Sequence, residues 1–288
     1  MRKFNIKTQI HSLYALTTAG YFQIAGASWV ALLALRGFSL LEIGMLESIF
    51  HVVSSCFEIP SGVVADVFGR KRTMVLSRLV NLASSIFMIV SADFWTVAFA
   101  IGLNAISYNL ESGTREALAY DSLKAVGQEE KYNRFASMEM MLYRVTNSVA
   151  TLCAGLALGL GYKKAYAVDI FFCLIAAGIA CSLKEVQTET MPAGNLQEDN
   201  RKKGDQLKSV IRESWYFLTT NRRARYIMIL NAVIGAISTL VLFFLQAKIP
   251  TAGLDKAFLG PALFVMGLGA ALGAKVVEYF PKWRYGKY

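Results

Sequence analysis

Three ionisable residues recur on one side of an apolar segment in the first quarter of the chain. Glu47, His51 and Glu58 stand at positions i, i+4 and i+11, which a helix turning about 100° per residue places on one stripe. Histidine changes its charge near neutral pH, so such a stripe inside a membrane could relay protons. The alternative is that these are hydrogen-bonded polar groups facing a neighbouring helix, with Glu47 nearer the lipid headgroups.

A second polar face lies in another apolar segment. Glu111 precedes Arg115 by four residues, which is the favourable order for an ion pair on a helix, and Asn104, Ser107 and Tyr108 share this face. Charged residues inside a membrane cost roughly 2.5–3.5 kcal/mol each on insertion scales and are therefore candidates for function. The alternative is a structural ion pair near the membrane surface.

Uncharged hydrogen-bonding groups in other apolar segments are either solute contacts or packing residues: Tyr14, Thr17, Tyr21, Gln23, Asn231 and Ser238. No pair of cysteines has the spacing of a metal or redox site, and we expect neither a metal nor a cofactor. His11 is expected at the inner surface and His51 near the middle of the membrane. They cannot form a catalytic constellation together, so we do not expect an enzyme.

Eight apolar segments must position these residues. Hydrophobic residues make up 55% of the 288 residues and charged residues 17%, against roughly 25% charged residues in soluble proteins. A helix crosses the hydrocarbon layer with about 20 residues, and lipid offers no partner for free backbone groups. We therefore predict an all-α polytopic transmembrane bundle with spans at Leu13–Leu35, Leu41–Ala65, Thr73–Ser91, Phe94–Ala119, Met138–Leu160, Ala165–Leu183, Tyr226–Ala247 and Phe258–Val277.

The basic residues indicate how the bundle is oriented. Lys and Arg are concentrated near both termini, in the turn 70–72 and in the polar stretch 184–225. The positive-inside rule places these parts, including both termini, on the cytoplasmic side of the cell membrane. The same distribution explains the net charge of +10 without a nucleic-acid partner. A cleavable signal peptide ending near Ala27 is the alternative for the first segment.

Composition divides the chain into three parts. Residues 1–183 are predicted to form a six-helix transmembrane bundle, and residues 226–288 two further helices. Residues 184–225 between them read as a cytoplasmic linker. Apolar residues at helical spacing in its second half predict a helix lying on the inner leaflet: Leu207, Val210, Ile211, Trp215 and Leu218.

The most specific motif is GVVADVFGRKR, from Gly62 to Arg72, between the second and third spans. A tight turn needs Gly69, close packing of helix ends needs a small Gly62, and Asp66 can lie near a helix N-terminus or an arginine. In place and spacing this stretch resembles the G-x-x-x-D-x-x-G-R-[KR] signature loop of the major facilitator superfamily. The stretches EIPSG, at 58–62, and ESGTREALAYDSL, at 111–123, resemble bacterial members of that superfamily.

The resemblance implies an N-terminal six-helix half followed by two helices of the second half. It implies that Asp66 and Arg70 lie in a cytoplasmic charge cluster with Asp121 as acidic partner, which latches one conformational state. Lys71 belongs to the same signature loop. It also places the first, fourth and seventh helices around a transport cavity, so that the polar face with Glu111 would contact the solute. Family members have twelve helices, so the chain resembles a transporter truncated after the eighth helix.

Together these features predict secondary active transport of a small solute across the plasma membrane by alternating access. Coupling to protons is expected, and the resemblance suggests export of a drug or metabolite. Membrane-embedded acids outnumber bases, which favours a cationic or neutral amphipathic solute. The alternative is a truncated, non-transporting fragment of such a transporter.

Overall fold

The structure of the chain, a computed structural model, describes residues 5–186, 216, 219–249, 252–253, 255–266 and 269. Within these residues the regular secondary structure is helical. By length and composition, four of the described helices could cross a membrane: Leu40–Phe68, Arg70–Val90, Tyr162–Ser182 and Arg222–Lys248. The predicted all-α class is confirmed.

The chain divides into two compact units, residues 1–186 with 245–288, and residues 187–244. In chain order the helices are α1 (Ile6–Tyr21), α2 (Ile24–Ala27), α3 (Trp29–Leu35), α4 (Leu40–Phe68), α5 (Arg70–Val90), α6 (Phe94–Glu111), α7 (Thr114–Lys124), α8 (Tyr132–Leu152), α9 (Ala154–Leu160), α10 (Tyr162–Ser182) and α11 (Arg222–Lys248). Helices α1 to α10 belong to the first unit and contain the candidate site.

The first predicted span is not one continuous helix. It is interrupted at Phe22–Gln23, before α2, and again at Ser28. The buried carboxylate of Asp169 on α10 accepts hydrogen bonds from the backbone N–H groups of Ala25 (3.2 Å) and Gly26 (2.9 Å). A helix start leaves such N–H groups without intrahelical partners. A side chain far along the chain therefore stabilises a break that the hydropathy pattern does not show.

The fourth and fifth predicted spans are also divided. Helix α6 ends at Glu111 and α7 begins at Thr114, with Gly113 at φ +75° in the turn between them. This left-handed backbone favours glycine, because other L-residues carry a Cβ atom that is strained there. In the fifth span, α8 and α9 meet at Cys153.

Capping residues set the starts of two further helices. Ser39 and Glu42 form a reciprocal capping box at the start of α4. Asp93 caps α6 by accepting a hydrogen bond from the backbone N–H of Thr96 (2.9 Å). This bond holds the pKa of Asp93 below its usual range, because it stabilises the ionised carboxylate.

Within the first unit, α5 packs against α6 and α10, and α1 packs against α8 and α10. We call the end of this unit that contains Gly69 and Lys124 the basic end, and the end that contains Arg36 the opposite end. An apolar core near the basic end joins α1, α5, α7, α8 and α10 through residues such as Leu13, Met74, Leu118, Phe135 and Ala180. At the opposite end, the Arg36 guanidinium donates to the Ser91 carbonyl (2.6 Å) and lies 4.2 Å from the Tyr162 ring centroid.

Some sequence predictions fall outside the described residues. The predicted surface helix in 207–218 is described only at Tyr216. Of the predicted eighth span, residues 259–266 are described as helix, together with residue 269. The division at residues 183 and 225 stays a prediction.

Candidate functional site

The turn between α4 and α5 has the glycine geometry that the sequence predicts. Gly69 has φ +91°, a conformation open to glycine and strained for other residues. Arg70 Nε lies 2.6 Å from Asp121 Oδ2, and the Asp121 side chain is buried. The structure thus brings Arg70 on α5 and Asp121 on α7 together at the basic end.

Glu185, which the sequence pattern does not reveal as a site residue, completes this cluster. Glu185, just after α10, accepts hydrogen bonds from the backbone N–H groups of Arg70 (2.9 Å) and Lys71 (3.0 Å). It occupies the helix N-terminus that was one of the two positions expected for Asp66. Asp66 is exposed, and no ion pair or hydrogen bond to its side chain occurs among the described residues. The motif alone could not identify Glu185, which is remote in sequence.

The close packing expected at Gly62 is absent from the described part of the chain. Gly62 is exposed, and a Cβ atom added there would meet no described atom within 4 Å. The described residues thus give no packing reason for a small residue at this position, and the expected role of Gly62 stays a prediction. Gly62 and Asp66 both lie on the exposed side of α4.

A network of four buried charges lies inside the first unit. Glu111 Oε1 accepts a hydrogen bond from Arg115 Nη1 (2.8 Å), and Glu111 Oε2 is paired with Arg78. Arg115 Nε is paired with Glu139 Oε1, which also accepts a hydrogen bond from Thr17 (3.3 Å). The network joins α5, α6, α7 and α8, with α1 through Thr17. Its formal charges cancel, which is the arrangement that buried charges require.

Only half of this network is evident from the sequence. Helical spacing predicts the pair of Glu111 and Arg115, whereas Arg78 and Glu139 are functional residues that the sequence pattern does not reveal. The glycine at position 20 on α1 is a further indication of where Arg78 lies, because a Cβ atom added there would be 2.5 Å from Arg78 Nη1. The missing side chain at Gly20 makes room for the guanidinium group.

A cavity of about 310 Å³ opens within the same unit. Four of the predicted pathway residues line it, namely Tyr21, Gln23, Glu47 and Asn104. The other lining residues include Trp29, Phe50, Ser84, Ser85, Asn147, Tyr166 and Asp169. Such a mixture of aromatic walls and a few polar groups is typical of small-molecule sites.

Tyr21 connects this cavity to the charge network. Its hydroxyl oxygen accepts a hydrogen bond from Arg115 Nη1 (3.5 Å), and its ring centroid lies 5.4 Å from the Arg115 guanidinium carbon. Gln23 is also held in place, because its amide group donates to Asn81 Oδ1 (3.2 Å) and to the Gly20 carbonyl (3.1 Å). A ligand that displaces Tyr21 in the cavity wall would therefore also change the contacts of Arg115.

The predicted stripe on α4 is only partly assembled. His51 Nε2 lies 3.3 Å from Glu47 Oε1, and 68% of the His51 side chain is exposed. Glu58 is exposed, and no ion pair or hydrogen bond to its side chain occurs among the described residues. The structure thus brings together Glu47 and His51 but leaves Glu58 apart. Asn231 lies on α11, and its side chain is outside the described part of the chain.

Comparisons with known proteins agree with this architecture. The family model of the Major Facilitator Superfamily matches residues 11–287. None of the curated proteins matches the sequence significantly. A mutant of the nucleoside transporter NupG has a similar structure, with a TM-score of 0.70 and 15% identity, covering 98% of this chain and 69% of that one. A mutant of the peptide transporter POT is similar with a TM-score of 0.59 and 12% identity, covering 98% and 74%.

At these identities the two structures show the fold, and the family model shows the relationship. The predicted resemblance is therefore confirmed, as is the prediction that the protein is not an enzyme. Because the family model matches nearly the whole chain, the protein belongs to the major facilitator superfamily of multi-pass membrane transporters.

Proposed function

We propose that the protein moves a small solute across the plasma membrane by alternating access, coupled to proton movement. The main supporting observation is the contact between Tyr21, in the cavity wall, and Arg115, in the buried charge network. Solute binding and the charge balance of the network then act on one another through a single side chain. Such a contact is what coupled transport requires, since each ligand must change the other's free energy of binding.

Glu139 is the residue on which we propose that coupling depends. In the described network two carboxylates balance two guanidinium groups. Protonation of Glu139 would leave a net positive charge and weaken the hold on Arg115, which then favours a conformation where Arg115 finds other partners. Glu47 in the cavity wall, its partner His51 and, further along α4, Glu58 form the predicted proton pathway.

The cluster at the basic end is proposed to hold the cavity closed on that side. Arg70, Asp121 and Glu185 join the α4–α5 turn to α7 and to the segment after α10. Opening this end requires these charged contacts to break. Asp66, Lys71 and Gly62 complete the predicted signature loop. We further propose that the basic end and both termini face the cytoplasm, on the positive-inside rule. Export stays a prediction from the family resemblance.

Transport in proteoliposomes tests this proposal. Labelled tyramine, uridine, dialanine and glucose are each offered to vesicles with an imposed pH gradient. At least one is expected to accumulate, and a protonophore should abolish the accumulation. Glu139→Gln should lose accumulation while it retains solute exchange at equal pH, because the solute site remains. Glu116→Gln, the same change at an exposed position, is the matched control.

Two outcomes would contradict the proposal. Equal accumulation by Glu139→Gln and the unmodified protein would exclude the coupling role of Glu139. No protein-dependent movement of any of the four solutes would favour the non-transporting alternative. For the basic end, Arg70→Ala should abolish flux with normal membrane insertion, because it removes the ion pair with Asp121. Arg72→Ala, at an exposed position close to the same turn, should not.

A further inference from the structure

The charge of the cavity wall indicates which solutes it accepts. Glu47 and Asp169 line the cavity, and its lining, which lies entirely within the described residues, contains no lysine or arginine. The nearby Arg78 and Arg115 are already balanced by two carboxylates of the buried network. The ionisable side chains that line the cavity are therefore acidic ones only. In a low-dielectric interior this charge favours a positively charged ligand over a neutral or negative one.

The hydrogen bonds of Asp169 suit a carboxylate that binds a positively charged ligand. It is buried, and its two carboxylate oxygens accept hydrogen bonds from the backbone N–H groups of Ala25 and Gly26. These bonds orient the carboxylate but do not neutralise it, since no basic side chain is paired with it in the described part of the chain. A carboxylate oxygen has room for more than one hydrogen bond. The remaining acceptor positions are available to a cation in the cavity.

Two largely buried residues of the wall also carry hydroxyl groups that have no hydrogen-bond partner among the described residues. Tyr166 is 6% exposed and Ser85 is 7% exposed, and both line the cavity. Neither hydroxyl takes part in a hydrogen bond among the described residues. Buried polar groups are nearly always hydrogen-bonded, to protein, water or ligand. These hydroxyls thus mark positions for polar groups of a bound molecule or of water.

Aromatic rings form much of the remaining wall. Tyr21, Trp29, Phe50 and Tyr166 line the cavity. The faces of such rings attract cations and pack against flat apolar groups. A volume of about 310 Å³ is at the lower end of the range for small-molecule pockets, which suits a solute with one ring.

From these features we infer that the cavity binds a small organic cation, with its ammonium group facing Asp169 and Glu47 and a single-ring body between the aromatic side chains. The inference rests on the proposed function only in treating this cavity as the solute site. It extends that proposal by naming the chemical class of the solute.

Three probes with the same phenol ring test the inference by isothermal titration calorimetry on the detergent-purified protein. Tyramine has an ammonium group, 4-ethylphenol has no charge, and 3-(4-hydroxyphenyl)propionate has a carboxylate. Tyramine is expected to bind about tenfold more tightly than either of the others. Equal affinity for tyramine and 4-ethylphenol, a preference for the carboxylate, or no binding of any probe would overturn the inference.

Variants of the two cavity carboxylates test whether tyramine binds in this cavity. Asp169→Asn should lower the affinity for tyramine by about tenfold or more and leave that for 4-ethylphenol unchanged. Because Asp169 also supports the break before α2, Glu47→Gln on the partly exposed α4 is a second variant with the same expected direction. Asp93→Asn, at a capping position outside the cavity, is the control. Unchanged tyramine affinity in both cavity variants would refute the assignment.

This binding experiment separates the inference from the proposed function. It needs neither a membrane nor a gradient. Selective tyramine binding without accumulation in vesicles would refute coupled transport and leave the cation site standing. Transport of uridine or glucose, with no selectivity for tyramine, would refute the cation site and leave the transport proposal standing.

Discussion

The buried charge network gives the sharpest prediction about stability. Arg115 contacts Glu111 and Glu139, and all three side chains are largely buried. Replacing Glu139 by glutamine keeps an acceptor for Thr17 but changes the net charge of the network from zero to +1. Replacing Arg115 by glutamine changes it to −1. Leaving one partner of a buried ion pair uncompensated costs about 3–5 kcal/mol.

The double variant restores a net charge of zero. We therefore expect its loss in free energy of unfolding to be smaller than the sum of the two single losses, by about 2 kcal/mol. The four proteins that form this double-mutant cycle are unfolded with sodium dodecyl sulfate in mixed micelles, and helix content is followed by circular dichroism. Glu116→Gln, an exposed carboxylate on the same helix as Arg115, should change stability by no more than about 0.5 kcal/mol.

Additivity would refute this reasoning. If the double variant loses the sum of the single losses within about 0.5 kcal/mol, Arg115 and Glu139 do not interact energetically. If either single variant is as stable as the control variant, the network does not depend on its charge balance. Comparing the variants in one micelle composition keeps the reference state of the unfolded chain the same.

Three further changes follow from local geometry. Gly69→Ala should lower the free energy of unfolding by about 1–3 kcal/mol, because alanine is strained at the positive φ of this residue. Gly62→Ala is the control and should have little effect in the same unfolding assay, because the added atom meets no described atom within 4 Å. Gly20→Ala should displace Arg78, lower the thermal unfolding midpoint and reduce transport together; an unchanged midpoint would contradict the packing. Because the pKa of Asp93 is lowered in the folded state, its stabilising contribution is present above about pH 4 and is lost as the pH falls through the folded-state pKa. Asp93→Asn should therefore flatten the acid limb of the stability profile, and an identical profile would contradict the capping role.

The sequence predicts the architecture well because hydropathy is a local property. Segment length and the scarcity of charge are enough to indicate the helices, and Gly69 is identifiable as the residue of a tight turn. The breaks in the first, fourth and fifth spans are not predictable in the same way. The break before α2 depends on Asp169, which stands on a different helix.

The site is predicted where its partners are close in sequence. Glu111 and Arg115 are four residues apart, and Glu47 and His51 likewise, so helical spacing reveals both pairs. Glu139 contacts Arg115 from another helix, and a single carboxylate near the start of an apolar span resembles a headgroup residue. Pairs whose members are distant in sequence, such as Arg115 and Glu139, can be recognised only once the folded structure is known.

The bonds between Glu185 and the start of α5 also have a consequence for biogenesis. A ribosome produces the α4–α5 hairpin first, whereas the carboxylate that accepts from the N–H group of Arg70 is 115 residues further along the chain. Helix starts need such acceptors, and chains are made from the N-terminus. Until the sixth span has been synthesised, the first N–H groups of α5 in the nascent hairpin can therefore donate only to water or to lipid headgroups, and not to Glu185.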